Sequence, residues 1–494
     1  VKTSPRGMHP RPLPWGEAWR LAHLGGAEER LRRGLILTCA AIATVPVYFA
    51  AGLPTARNYG GEAYALSFMG DAQNWPGILL VLLITTVPAV YLAMVAERVG
   101  SPARSRRLAA LRSAGATRAD ARRVMRIEAV TWSVPGAVMG AGLASGLWWC
   151  GSHVSTLTLA AEPDDPLSAG QTWQVPLLPD AWPQARFVIV GVLLVPLLAA
   201  LMSTLTLRDV GTQPGLPRRR DSTAKAWIPA VLLAGAAGCA IGIWRITELT
   251  FMNDATGRTI AGLTVLGPVL LLAALTTAAP VVTRALGRRL VGSEATRLIA
   301  GRSMIAHPML AARTSACLVL VGLSGGILSA GAGVMEAELT RRSLDSGVNI
   351  TVGGTYTYEG LYYLAPFWAG QGIAVLAAAL GLVGLGISVA EDVVAARSST
   401  HRLAAGGVPR SVLLRAKAIE AGLPAAVMGP LSLVAGLGVP IGWMLVAGET
   451  ELIDTPWTYV SCLLVLLALA PFAATALAAR ATIRADRTQN LRDA

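Results

Sequence analysis

The amino-acid sequence predicts an all-α, polytopic integral membrane protein with about ten transmembrane helices. Three observations carry that prediction. Ten apolar stretches recur along 494 residues, of which 53% are hydrophobic and only 14% charged, a balance that a soluble chain would need an implausibly large core to bury. Threaded with the N-terminus inside, the chain puts 36 of its 42 Lys and Arg residues on inner segments, leaving only Arg57, Arg186, Arg245, Arg258, Arg341 and Arg342 outside. Acidic residues divide 14 inside and 15 outside, so the bias belongs to Lys and Arg alone, as the positive-inside rule requires. Finally, Trp75, Trp148, Trp149, Trp182, Trp244, Trp368 and Trp457 stand near the outer boundary, the depth that interfacial aromatics favour.

A span needs about 20 apolar residues to cross about 30 Å of hydrocarbon. Stretches at 34–53, 76–96, 128–150, 185–206, 226–246, 259–283, 311–333, 367–390, 420–446 and 457–479 meet that length. This threading places both termini in the cytosol and the protein in the cytoplasmic membrane. The net charge of +13 then belongs to loops facing an anionic leaflet rather than to nucleic acid. The polar, Pro-rich start is not that of a cleavable signal peptide, and the first apolar run is long enough to stay as a span. Cys39, Cys150, Cys239, Cys317 and Cys462 lie in or beside apolar stretches without metal-ligand spacing, so neither a disulfide framework nor a metal site is expected.

Before the first span, Trp15, Trp19 and Ala22 share one face of a short helical segment, with Arg20, Arg30, Arg32 and Arg33 nearby. That is the pattern of an amphipathic helix on the inner leaflet. The longest outer segments are 151–184 and 334–366. The first, with Glu162, Pro163, Asp164, Asp165 and Pro166, reads as a loop; the second carries Val348 to Gly354, a strand ending in a turn. Tyr356, Tyr358, Tyr362 and Tyr363 follow, either as an aromatic girdle at the head of the next span or as contacts for a substrate or interface.

The chain also contains an internal duplication. Arg107-Leu108-Ala109-Ala110, Gly115-Ala116-Thr117-Arg118, Arg123, Glu128-Ala129 and Pro135-Gly136-Ala137-Val138-Met139-Gly140 are echoed by a second series. That series runs Arg402-Leu403-Ala404-Ala405, Gly407-Val408-Pro409-Arg410, Arg415, Glu420-Ala421 and Pro424-Ala425-Ala426-Val427-Met428-Gly429. From glycine to glutamate the offset is a constant 292, as 115 to 407 and 128 to 420 show. Apolar helices resemble one another readily, but the repeated polar spacing does not arise so easily. An even number of crossings separates the copies, so they share one orientation and an axis along the membrane normal. Thr117 is placed to cap a helix with Asp120 at the capping-box position, and Pro409 to occupy the first turn of the second copy's helix. Glu128 and Glu420 either pair with a nearby arginine or couple motion into the spans.

Leu108-Ala109-Ala110-Leu111-Arg112-Ser113-Ala114-Gly115-Ala116-Thr117-Arg118, running on to Glu128-Ala129, resembles the stretch between spans 2 and 3 of the FtsX-like permease family of ABC systems, which includes MacB-type, BceB-type and lipoprotein-releasing permeases. The resemblance implies the following organisation. Residues 1–33 form a tail and elbow helix, and 34–206 a first four-span half with its coupling element at 97–127. Spans 5 and 6 (207–284) and a pre-span segment (285–310) connect it to a second four-span half, 311–480, whose coupling element is 391–419; 481–494 is a cytosolic tail. It further implies that Gly115, Thr117, Arg118, Arg122, Arg123, Glu128, Gly407, Arg410, Arg415 and Glu420 couple the chain to an ABC ATPase, two copies per permease chain. That ATPase would hold the ATP and magnesium, and this chain would bind no cofactor. The outer positions that carry large domains in many relatives hold only short segments here, which points to a hydrophobic or peptide-like substrate taken up within the membrane.

No Walker A pattern occurs among the three lysines (2, 225 and 417), and the histidines at 9, 23, 153, 307 and 401 form no catalytic constellation, so the chain is not expected to be an enzyme. Three transport or signalling classes remain. An ATPase-coupled permease, acting by mechanotransmission, fits the short outer segments. A signalling scaffold controlling an extracellular enzyme or sensor shares every inner feature. A secondary transporter would place ionisable residues deep in the spans, and the span centres contain essentially none.

Overall fold

The computed structural model describes residues 14–23, 27–59, 64–72, 74, 75, 77–79, 81, 82, 117–160, 172–210, 227–249, 254–313, 315–346, 351, 352, 355–395 and 406–490. In chain order the helices are α1 (Trp15–His23), α2 (Ala27–Arg57), α3 (Arg118–His153), α4 (Ala185–Val210), α5 (Trp227–Leu249) and α6 (Asp254–Leu290). They continue as α7 (Ala295–Ala306), α8 (Pro308–Arg313), α9 (Ala316–Ser346), α10 (Tyr358–Ala395), α11 (Arg410–Ala447) and α12 (Trp457–Asn490). Two antiparallel pairs, β1 (Thr156–Ala160) with β2 (Thr172–Pro176) and β3 (Thr351–Val352) with β4 (Thr355–Tyr356), accompany them, with short 3-10 turns at Ser67–Gly70 and Thr450–Leu452.

Among the described residues, seven helices are long and apolar enough to cross a membrane, within α2, α5, α6, α9, α10, α11 and α12. The protein is an all-α polytopic membrane protein. In α4 the apolar helix that qualifies by composition, Ala185–Leu201, is shorter. Helix α3 has no charged residue between Glu128 and His153 but is not among these seven. The span expected at 76–96 lies almost wholly outside the described residues.

Prolines stand inside many of these helices, including Pro46, Pro135, Pro196, Pro424 and Pro440. Neighbouring helices and serine or threonine hydroxyls make that tolerable in a membrane. Here Thr44 Oγ1 donates to the Ala40 carbonyl at 2.8 Å and Thr131 Oγ1 to Ile127 at 2.7 Å, so the hydroxyls are satisfied inside their own helices.

Three sequence expectations need correction. Segment 151–184 is not simply a loop: the alternating Thr156-Leu157-Thr158-Leu159 run pairs with Thr172–Pro176 as a hairpin, Leu159 opposite Trp173. Helix α9 runs past the expected end at 333 to Ser346, and α10 begins at Tyr358 rather than 367. Glu338 holds Arg341 and Arg342 at 2.8 Å one turn on, which sustains α9 beyond its apolar run, and Thr357 Oγ1 accepts the Gly360 amide to cap α10. Trp148 is not an interfacial side chain but a buried one, its indole N–H donating to the Ala181 carbonyl at 3.0 Å.

The chain divides into two compact units, the first comprising 1–55, 89–147 and 182–220 and the second 56–88, 148–181 and 221–494. In the first, α2, α3 and α4 pack through small residues. A Cβ at Gly136 or Gly140 on α3 would collide with the backbone of Leu37 or Ala41 on α2, so no larger residue fits this seam. Ala40, Ala43, Ala137 and Val195 fill its centre, and Ser145 Oγ donates to the Tyr48 hydroxyl at 2.9 Å.

In the second unit, α9, α10, α11 and α12 surround a core that includes Leu318, Val321, Ala377, Leu385, Ala425, Leu433, Leu463 and Leu467. Gly322 and Gly326 of α9 meet the backbone of α11 at Gly429, Leu433 and Gly436 as closely as the first seam is packed. Helices α6 and α8 add Ala279 and Ala312 against Val319 and Met428. Connecting segments in this unit join one another: the Ala65 and Leu66 amides donate to the Pro176 and Leu177 carbonyls at 2.8 and 3.1 Å, and Ala160 bridges to Thr357.

Candidate functional site

In the first copy of the repeat the segment is described from Thr117 onward; Gly115 and the rest of 97–116 lie outside the described residues. At the start of α3, the Thr117 amide donates to Asp120 Oδ2 at 3.0 Å and the Asp120 amide to Thr117 Oγ1 at 3.2 Å, with the Thr117 hydroxyl on the same carboxylate at 2.6 Å. This is a reciprocal capping box with Asp in place of Glu, as the sequence led us to expect. Two amides of the first turn are satisfied without any outside partner, and the new helix has a defined first residue.

The second copy reaches the same point by another route. Residues 396–405 lie outside the described set. Gly407 then sits at φ 88°, in the left-handed region where a side chain is strained, and reverses the chain before α11. Pro409 does not enter the first helical turn, as expected, but precedes it. Its ψ of 137° is extended, so the helix begins at Arg410, and its carbonyl accepts the Val412 amide at 3.0 Å. No side chain caps α11.

Nearly three turns into each helix stand the two repeat-matched glutamates. Glu128 is buried, and its Oε1 lies 4.0 Å from Nε of Arg33 on α2. The Arg33 guanidinium covers the Trp132 ring at 5.5 Å, and His23 of α1 faces the same ring at 6.2 Å. Glu420 accepts a hydrogen bond from Ser303 Oγ of α7 at 2.6 Å and pairs with Lys417 at 2.8 Å. Its cationic partner is thus a lysine of its own helix rather than an arginine. Each glutamate ties its helix to a second one, Glu128 to α2 and Glu420 to α7. The sequence signalled both carboxylates but neither Arg33 nor Ser303 as their partners.

The remaining candidates are dispersed. Arg123 is half-buried and lines a groove with Trp19 and Arg126, while Arg415 is exposed. The side chains of Arg118, Arg122 and Arg410 lie outside the described residues. Among the described residues, no group of three His, Cys, Asp or Glu side chains is placed to hold a metal ion.

The tyrosines belong to a cap around the start of α10. Tyr362 donates its hydroxyl to Asp71 Oδ2 at 2.9 Å and accepts from Asn74 Nδ2 at 3.1 Å, joining α10 to the segment that follows α2. Its ring meets Tyr363 edge-on at 5.1 Å, and Tyr356 meets Trp368 at 5.0 Å in the same manner. Tyr358 is exposed. Burial pushes the Tyr356 hydroxyl above its ordinary range, helped by the negative charge of Glu336. In the same cap Tyr64, beside the Ala56 carbonyl, is pushed up to about 12 by burial first and by neighbouring Tyr358 second. Three of the four tyrosines therefore have structural partners; Asp71 and Asn74 were not legible as those partners, being 291 and 288 residues distant from Tyr362.

The model of the FtsX-like permease C-terminal domain matches residues 78–213. No curated protein and no solved structure matches the chain. The matched stretch contains the capping box of α3, the buried Glu128, the glycine seam against α2 and the whole of α4. FtsX-like permeases are membrane subunits of ABC-type systems and are not themselves the ATPases. Over residues 78–213, about a quarter of this all-α polytopic chain, the protein is similar to the FtsX-like permease family.

Proposed function

We propose that this chain is the permease subunit through which a separate ABC ATPase dimer drives export or extraction of a hydrophobic or peptide-like substrate, by mechanotransmission. The supporting observation is the paired tether. Glu128 links α3 to Arg33 at the start of α2, and Glu420 links α11 to Ser303 on α7. A push on the first turn of α3 or α11 is therefore passed into two elements of the same half at once. On this reading Gly115, Thr117, Arg118, Arg122, Arg123, Gly407, Arg410 and Arg415 form the cytosolic elements that meet the ATPase, and both termini are cytosolic. ATP and magnesium sit on that partner, present as two copies per permease chain. The two halves, each of four spans, arose by duplication.

One observation favours a second reading, a scaffold that controls an extracellular protein: Leu157 and Trp173 are exposed on the β1–β2 hairpin, where a partner could dock. The test is co-purification with candidate ABC ATPases from adjacent genes. Charge reversal at Arg118, Arg410 and Arg415 should lower ATPase recovery at least ten-fold, a loss of more than about 1.4 kcal/mol in affinity. Unchanged recovery, or labelling of cysteines placed near 115 and 407 from the outside only, would overturn the proposal. Replacing Leu157 and Trp173 by serine should leave transport intact if the first reading holds, and abolish only the response of an outer partner if the second does.

A further inference from the structure

Trp132 carries a buried polar atom that the contacts around Glu128 do not use. Its indole Nε1 is shut off from solvent, and among the described residues nothing accepts its proton. The hydroxyls on either side are turned back onto their own helix, Thr131 to the Ile127 carbonyl and Ser133 to the Val130 carbonyl. One turn beyond Glu128 the indole stands in the apolar run of α3, where water is no ready substitute. A buried donor without an acceptor is costly enough that native structures seldom keep one.

An acceptor stands on α1. His23 is the last residue of α1, half-buried, and its Nδ1 lies 2.9 Å from the Trp19 carbonyl. A carbonyl oxygen only accepts, so Nδ1 carries the proton, and in the neutral ring Nε2 is left as an acceptor. That ring lies against Trp19, centroids 4.7 Å apart, and faces Trp132 at 6.2 Å and 46°. The end torsions of such side chains are soft. From this separation a turn of the two rings brings nitrogen to nitrogen at about 3 Å, hydrogen-bond distance. We propose that α1 is a strap over the Arg33–Glu128 pair, fastened by a hydrogen bond from Trp132 Nε1 to His23 Nε2.

The fastening and the ion pair share one ring. The Arg33 guanidinium lies 5.5 Å from the Trp132 centroid, and Arg33 Nε is the atom that faces Glu128. All four residues belong to the first compact unit. Helix α1 has only nine residues, too few to be stable by itself, although Glu17 in its first turn and Arg20 and His23 in its last suit its dipole. Trp19 is 52% exposed, so a lifted α1 has the lipid interface to rest on. Closed, the strap braces the ring that supports Arg33; lifted, it uncovers that ring. Any effect on transport rests on the coupling reading above, whereas the fastening does not.

The test is NMR of the full chain in detergent with isotope-labelled tryptophan, following exchange of the Trp132 indole proton with deuterated water. Trp132 is assigned among the 13 indoles by its loss in Trp132→Phe. In the unsubstituted chain exchange should be slow, and a nitrogen–nitrogen coupling to His23 should cross the bond. His23→Phe keeps a ring but no acceptor, and should speed exchange about ten-fold, the size of one hydrogen bond worth about 1.4 kcal/mol. His23→Gln, whose side-chain carbonyl can accept in its place, should stay within about two-fold. Should His23→Phe not fold, the coupling in the unsubstituted chain and the His23→Gln variant still decide the matter. Fast exchange in the unsubstituted chain, or exchange unchanged by His23→Phe, would overturn the proposal. So would acceleration by Glu128→Gln but not by His23→Phe, which makes Glu128 the acceptor. None of these readouts involves the ATPase, so failure here is distinct from failure of the coupling model.

Discussion

Glu128 and Glu420 stand at matching positions of the two sequence copies, yet their surroundings differ in kind. Glu128 is an interior carboxylate, 2% exposed, facing an arginine that is itself shielded by Trp132 and close to the His23 ring stack. Glu420 has a half-buried lysine one turn back and a serine hydroxyl for partners. Removing one member of a buried ion pair strands a charge, whereas a wetter carboxylate can be rehydrated. The first copy therefore behaves as a fixed joint and the second as an adjustable one, although both carry the same glutamate ten residues after the arginine of Gly-x-x-Arg.

The glycine seams offer the largest effects by which to test that comparison. Gly140→Ala on α3 and Gly436→Ala on α11 each force a methyl group into the backbone of the facing helix, Ala41 and Leu323 respectively. Each should cost about 3 kcal/mol or more, the upper range for overpacking, read as unfolding free energy in detergent. Two residues further on, Gly142 and Gly438 have open space around them. Gly142→Ala and Gly438→Ala should stabilise by roughly 0.5–1 kcal/mol, since alanine replaces glycine inside a helix. Equal effects at both pairs would mean that the seams are not closed as described.

The glutamates come next. Glu128→Ala should destabilise by about 3–5 kcal/mol, as for a broken buried pair, and Glu420→Ala by about 1 kcal/mol, as for a partly exposed one. Reversal of that order, measured in the same detergent unfolding titration, would remove the distinction between a fixed and an adjustable joint.

The smallest effects lie at the helix starts. Thr117→Ala deletes one side of the capping box and should cost about 1 kcal/mol. Pro409→Ser supplies the cap that α11 lacks; it should stabilise by a few tenths of a kcal/mol at most, because the rigidity of proline is lost in exchange. Amide exchange at Asp120 and Val412 reports both changes locally.

The matched methionines show why the copies diverge. Met139 and Met428 occupy the same place in the Ala-Val-Met-Gly echo, yet Met139 is 58% exposed and Met428 fully buried. Ala279 of α6, Ala312 of α8 and Val319 cover Met428, so the connecting helices give the second copy a surface that the first does not have within its own unit.

Much of this architecture was determined by the sequence alone. Hydrocarbon thickness and the absence of water in the bilayer leave a long apolar run little choice but a helix, so the seven long apolar helices and the Thr117–Asp120 cap could be read from local chemistry. Only the tertiary structure decided which partners those residues meet. Arg33 and Glu128 lie 95 residues apart, Ser303 and Glu420 lie 117 apart, and Tyr362 and Asp71 lie 291 apart. No periodicity encodes such distances. The hairpin at 156–176 was lost to the reading of its Pro- and Asp-rich middle, and its pairing depends on cross-strand neighbours that a linear pattern shows only weakly. Local physics names the elements of this chain; which faces are covered, and therefore which glutamate is sealed and which is wet, follows from close packing among segments far apart in the sequence.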